Sequence, residues 1–457
     1  MPAQNYVLLE RIELNASAAS VTFSNIPQSG YTDLKVVVSG RSTASAVNDN
    51  LWMKFNGNNS SYSNRVLYGS GSSVASGANT GTGDTQYLAP VPGATATAST
   101  FGNSEIYIPN YTGSQNKSVS LDGVAENNAT LAYSQIQAIL WSNTAAITSI
   151  QFGLITGSYV ANSTFSLYGL AAVGTTPVIA PKASGGDRID YDGTYWIHTF
   201  TTTGAFVPQT TLSCDYLVIG GGGGSGGEAG AGGGAGGYLT SVGTQGGGVS
   251  AGSPLSLAAT SYTVTVGAGG AGGYSTGGSG GGIGGTGSNS VLSTITALGG
   301  GGGSGYADAG AGVSINGNPG GSGGGGGNGG SGSVGLGGAA SAPTQGYAGG
   351  TGAYTFPNGR GMGGGGGAGS VGANGVTATG TGGNGGAGIT SSISGTSVAR
   401  AGGGGGAGQS VQGTGTAGGG TNSAGTVNTG GGGSDNYTFN GGNPGGSGIV
   451  IIRYLAA

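Results

Sequence analysis

Asp215-Tyr-Leu-Val-Ile-Gly-Gly-Gly-Gly-Gly224 decides how the second half of this chain is read. A strand-like apolar run passes directly into five glycines. Most of the chain's 115 glycines follow, in tracts at Gly220–Gly224, Gly299–Gly303, Gly323–Gly327, Gly363–Gly367, Gly402–Gly406 and Gly430–Gly433. A Gly/Ser-rich stretch ordinarily behaves as a flexible linker. This one is interrupted by runs of β composition: Ser261-Tyr-Thr-Val-Thr-Val266, Val291-Leu-Ser-Thr-Ile-Thr-Ala-Leu298 and the closing Gly448-Ile-Val-Ile-Ile-Arg-Tyr-Leu455. A linker has no need of a buried strand at its far end. The tracts are therefore expected to fold, with Ile449–Tyr454 pairing near Tyr216–Ile219.

Ordering glycine is costly, because glycine loses more backbone freedom than any other residue. It brings no side chain to bury, so the compensation must come from the backbone. Polyproline-II-type helices have about three residues per turn and no internal hydrogen bonds. Without side chains they can lie side by side and bond to one another through N–H and C=O groups. A collagen triple helix is disfavoured, because the runs lack a Gly-X-Y period and the whole chain has only 13 prolines. Weak internal similarity supports a repeated unit. Ser288–Leu298 runs into Gly299–Gly303, as Ile389–Ala401 runs into Gly402–Gly406.

Residues 1–175 read differently. Period-2 alternation, as in Leu34, Val36 and Val38 against Lys35, Val37 and Ser39, marks antiparallel strands separated by Asn/Gly/Ser/Pro turns. Ten strands are expected: Tyr6–Leu14, Ser20–Ser24, Asp33–Gly40, Leu51–Phe55, Arg65–Tyr68, Glu105–Ile108, Ser118–Val124, Ala132–Leu140, Ser149–Leu154 and Thr164–Leu170. That density fits an antiparallel, jelly-roll-like β-sandwich. Gly69–Ala98 is expected to be a long surface loop. Residues 176–194, with Pro177, Pro181, Gly185 and Gly186, read as a linker, and 195–457 as a glycine-rich domain. The fold class is thus all-β: a sandwich, then packed polyglycine/polyproline-II-type helices with short strands.

Charged residues are only 6% of the chain and its net charge is −4, with no basic patch, which argues against nucleic-acid binding. No apolar run approaches the roughly 18 residues of a membrane-spanning helix. The first ten residues lack the basic start and apolar core of a signal peptide, so synthesis in a cytoplasm is expected. One cysteine, Cys214, and one histidine, His198, supply neither a zinc set nor a Cys–His pair. Gly-x-Gly-x-x-Gly matches arise by chance in so glycine-rich a sequence, and no helix-forming run follows them. Asp187, Asp190 and Asp192 form half a calcium loop without its terminal Glu, so a solvated turn is expected there. No carboxylate pair suggests acid/base catalysis. No enzyme activity, cofactor or metal is expected.

The run Tyr195-Trp-Ile-His-Thr-Phe-Thr-Thr-Thr-Gly204, the junction Asp215–Gly224 and the closing Gly445-Gly-Ser-Gly-Ile-Val-Ile-Ile-Arg-Tyr454 resemble the glycine-rich domain of tail-fibre and other virion proteins of tailed bacteriophages. The front domain also resembles one found in such structural proteins, through Phe23-Ser-Asn-Ile-Pro27, Tyr31-Thr-Asp-Leu34, Arg65-Val-Leu-Tyr-Gly69, Ile106-Tyr-Ile-Pro-Asn-Tyr111 and Leu140-Trp-Ser-Asn143. The resemblance implies a non-catalytic protein of the virion surface. Its front domain would dock to other virion proteins, and its polyglycine-helix bundle would present loops to a host cell-surface glycan or protein receptor. By the same analogy it implies a homo-oligomer, a trimer. A head fibre or capsid-decoration protein is the alternative.

Bundle faces made of glycine offer little to recognise, so recognition falls to residues between the tracts. The densest aromatic and cationic set lies in Gln345–Arg360, with Tyr347, Tyr354, Phe356 and Arg360. Tyr437 and Phe439 form a second group. Rigidly presented tyrosines and arginine suit receptor contact. The alternative for these rings is that they cap the bundle ends.

Overall fold

The computed structural model describes residues 6–24, 26–79, 88–126, 132–172, 181–276, 280–306, 314–329, 332–341, 344–355, 359–437 and 441–456. The chain divides into two units, Met1–Pro181 with Asp187–Trp196 and Ala456–Ala457, and Lys182–Gly186 with Ile197–Leu455. Both contain β-strands, and no α-helix occurs among the described residues.

Twelve strands lie in the Met1–Pro181 part of the first unit: β1 Tyr6–Glu13, β2 Ser20–Phe23, β3 Tyr31–Gly40, β4 Asn48–Phe55, β5 Tyr62–Ser70, β6 Ser73–Asn79, β7 Pro90–Pro92, β8 Gly102–Ile108, β9 Lys117–Ala125, β10 Tyr133–Trp141, β11 Ile150–Leu154 and β12 Thr164–Ala171. They pair antiparallel as β1-β12-β3-β8-β9-β10-β5-β6 and β2-β11-β4-β7, giving a β-sandwich. Alternation drives the layering. In β9, Val119 and Leu121 are buried while Ser118, Ser120 and Asp122 face solvent. The core between the sheets includes Phe23, Phe55, Trp141, Phe152 and Phe165, all essentially inaccessible. Each such side chain contributes about 1.5–3 kcal/mol by leaving water.

Ten of these strands are the expected ones, with ends shifted by a few residues. The other two lie in Gly69–Ala98, which was expected to be a loop. There β6 pairs with β5 from Ser70↔Ser73 to Asn64↔Asn79, and β7 pairs with Asn48–Asn50 of β4. The hairpin turns at Gly71, whose φ of +56° lies in the left-handed region. The β6 sequence Ser-Val-Ala-Ser-Gly-Ala-Asn has almost no contrast between large apolar and polar residues. It is held by ladder bonds along β5, which pattern reading does not register.

The stretch expected as a linker, 176–194, also contributes strands. Arg188–Tyr191 pairs with β1 through Glu10↔Asp190 and Ile12↔Arg188. Arg188 lies between two acids, 2.5 Å from Glu10 and 2.7 Å from Asp190. Burial, then the Asp190 charge, pushes the Glu10 carboxyl up to about 8 despite Arg188. Asp192 accepts the backbone N–H groups of Thr194 and Tyr195, as a turn residue does. Residues 173–180 lie outside the described set.

In the second unit, Leu212–Ile219 pairs antiparallel with Ile449–Leu455, from Asp215↔Arg453 to Ile219↔Ile449, the closure expected from the sequence. Arg453 adds an ion pair to Asp215 at 3.2 Å. Tyr238–Thr240 lines the other edge of Leu217–Ile219. Beyond these strands the backbone follows a three-residue rhythm. Gly221, Gly224 and Gly227 donate to Ser288, Gly285 and Gly282; Gly220, Gly223 and Gly226 to Gly237, Gly234 and Ala231; Gly222 and Ser225 to Gly446 and Asn443, all at 2.8–3.1 Å. The same tract accepts from further segments, as Gly300 donates to Gly221 and Gly270 to Gly222. Residues 220–237 are buried throughout. Inter-segment backbone bonds replace the side-chain core that glycine cannot supply.

Amides of 220–237, 299–306, 363–368 and 402–407 are accordingly expected to exchange slowly. Hydrogen exchange checks this, and uniformly unprotected tracts would restore the linker reading.

Candidate functional site

The glycine tracts place side chains mainly at their ends. One end is built around the reversal between Gly226 and Ala231, where Glu228 and Ala229 adopt φ of +54° and +57°. The Glu228 carboxylate is fully buried and accepts from the Ser275 hydroxyl at 2.8 Å, the Thr276 N–H at 2.5 Å and the Gly280 N–H at 2.9 Å. Beside it, Asp435 accepts from the N–H groups of Gly230 (3.3 Å) and Asn436 (2.8 Å). Burial pushes the Asp435 carboxyl up to about 7, against the pull of those two bonds.

The tract 299–303 leads to Tyr306 at the same end. Its side chain packs with Ala229, Ala231, Met362 and Ala407, and Tyr437 lies against this group, half-buried. The hairpin of Ala353–Thr355 and Gly359–Gly361 sets Tyr354 directly across from Arg360. The Arg360 guanidinium carbon stands 5.0 Å from the Tyr306 ring centroid and 5.3 Å from that of Tyr354. A guanidinium over a ring contributes about 0.5–2 kcal/mol. Burial works against the Arg360 charge, but the Tyr437 and Tyr306 phenols outweigh it and hold its pKa above the ordinary value. The result is a half-buried aromatic–cation cluster in a fixed geometry.

The structure thus brings Tyr354, Arg360 and Tyr437 together and adds Tyr306. Tyr347 stands apart from them. Two residues before it, the Gln345 carbonyl accepts from Tyr238, which pairs with Ile219 in the closing sheet. Tyr347 itself donates to Gly367 and accepts from Gly323. It belongs to the opposite end of the tracts, because seven residues of extended chain span roughly 20 Å. Phe356 and Phe439 lie outside the described residues. Tyr306, outside the candidate set and distant from it in sequence, joins it only through the fold. The available signal was its position right after a five-glycine tract.

His198 and Cys214 are not part of this cluster. His198 is fully buried, with Nδ1 2.6 Å from the Gly185 carbonyl and Nε2 3.0 Å from the Tyr454 hydroxyl. Burial pulls it down to about 4, against the bond to Gly185, so it is neutral at physiological pH. Burial, with the Asp215 charge, pushes the Cys214 thiol up to about 12, which makes it inert.

Backbone-bonded glycine tracts closed by a strand pair, with side chains gathered at their ends, define a glycine-rich domain protein. The chain belongs to the glycine-rich domain family, whose model matches residues 200–455, more than half its length. No curated protein matches the sequence.

Proposed function

We propose that this protein is a non-catalytic component of a phage virion surface that mediates host attachment, as a tail fibre or receptor-binding protein. In this reading the sandwich docks to other virion proteins and the tract ends meet a glycan or protein of the host surface. The supporting observation is the Tyr306–Tyr354–Arg360–Tyr437 cluster. It is an arginine and aromatic group held rigid by a scaffold whose own faces are bare backbone. Aromatic rings and a fixed guanidinium bind sugar or protein surfaces with little entropy to lose.

Two finer structural readings belong to the proposal. The tracts are polyglycine-II helices, supported by the donation of every third residue to the same neighbour. The sandwich is a jelly roll, supported by its strand order. The four-strand orders β1-β12-β3-β8 and β2-β11-β4-β7 follow the jelly-roll pattern, with β5–β6 and β9–β10 inserted as extensions of one sheet.

The double variant Tyr354→Ala/Arg360→Ala is expected to lower adsorption of particles to host cells by at least about tenfold, the scale of losing two central contact residues. Particles should still assemble. Normal adsorption by intact variant particles would mean that the cluster only caps the bundle.

A further inference from the structure

The outer face of the larger sandwich sheet carries a trough. Strand register lines up the outward side chains of Lys35, Tyr107, Ser120, Ala138 and Arg65 in one row across β3, β8, β9, β10 and β5. The row is large at both ends and small in the middle. Ser120 and Ala138 leave a cavity of about 660 Å³, within the range of small-ligand sites. The next row supplies Glu105, Asp122, Ile136 and Leu67.

One wall is rigid. The Tyr107 hydroxyl donates to Asp33 at 2.5 Å, which fixes the ring. Lys35 pairs with Glu105 at 2.7 Å and lies 5.6 Å from the Tyr6 ring centroid. Glu105 and Asp122 stand directly opposite across two strands, an arrangement that disfavours the sheet. Asp122 makes no ion pair among the described residues, and neither does Arg65. Ile136 and Leu67 are 57% and 48% exposed. The trough therefore holds two cations, two carboxylates and apolar surface, with no net charge. Polyanions and polycations gain nothing from it. A ligand with adjacent donor–acceptor hydroxyls and C–H faces matches every part.

We infer that this trough binds a neutral oligosaccharide, its C–H faces against Tyr107, Tyr6 and the Ile136–Leu67 pair and its hydroxyls bonded by Lys35, Glu105, Asp122 and Arg65. The inference rests on the sandwich alone and is independent of the role given to the tract ends. Saturation-transfer NMR on the full chain tests it, with maltotetraose, cellotetraose and chitotetraose as probes. Transfer to at least one probe is expected. Ala138→Trp fills the trough from an exposed strand position and should abolish transfer. Asp122→Asn removes a charged acceptor and should weaken binding about tenfold, while thermal unfolding stays at or slightly above the parent's because the like-charge pair with Glu105 is relieved. No transfer to any of the three probes overturns the inference. So does transfer of undiminished strength in both variants.

Discussion

Gly365→Ala is expected to abolish folding of the glycine-rich domain, although the change adds a single methyl group. A Cβ at this position would fall on the Gly233 carbonyl, far closer than van der Waals contact. That carbonyl accepts the Gly404 N–H at 3.0 Å, and Gly365 itself donates to Gly404 at 2.9 Å. The obstacle is backbone on a neighbouring segment, so no side-chain rotation relieves it. Moving the segments apart breaks bonds on more than one side, because each segment is bonded to several others. A loss above about 5 kcal/mol is expected, comparable with the whole stability of many domains. Gly69→Ala is the contrast. Its nearest new contact would be the Ser73 carbonyl oxygen at 3.9 Å, and alanine in a strand recovers about 0.5 kcal/mol of backbone entropy. Chemical denaturation of the two variants measures the difference. A Gly365→Ala midpoint close to that of the parent would show that the tracts do not pack backbone to backbone.

The second large effect is a pair of opposed pH dependences. His198 has a folded-state pKa of about 4, below its ordinary value, held down by burial. Its neutral form is stabilising above about pH 6.5, and that contribution is lost as pH falls towards 4, because only the unfolded chain takes up the proton. The loss is roughly 3 kcal/mol. Asp435 works in the other direction. Its folded pKa is raised to about 7, so the folded state keeps a proton that the unfolded chain releases near pH 4. Stability from this group falls as pH rises from about 4 to 7, by roughly 4 kcal/mol. Together the two nearly cancel. Relative to the parent, Asp435→Asn should lose stability on acidification through this window, and His198→Gln should gain it. Denaturation midpoints at pH 4, 5.5 and 7 give the two slopes. Parallel slopes in parent and variants would remove both assignments.

Sequence reading found what contrast between large and small, or polar and apolar, makes visible. The alternation of Val36 and Val38 with Lys35 and Val37 gave β3, and the apolar run at 449–454 gave the closing strand with its partner. β6 was hidden because Ser, Ala and Gly fit either face of a sheet. The candidate site was half legible. Tyr354 and Arg360 were read as neighbours and face each other across a hairpin. Tyr347 is close to them in sequence but distant in space, because extended chain converts a few residues into a long translation. Tyr306 shows the reverse. It lies 48 positions before Tyr354, yet both rings meet Arg360, because separate tracts end at the same level.

The antiparallel pair of Leu212–Ile219 and Ile449–Leu455 leaves the two ends of the glycine-tract region between them, Gly220 and Gly448, about one inter-strand spacing apart, roughly 5 Å. Everything between them is an excursion that returns to where it left. Such a domain can be grafted like a cassette, because a host protein needs only a hairpin-sized gap to receive it. The segments at its tips can also lengthen, shorten or be exchanged without disturbing the point of attachment.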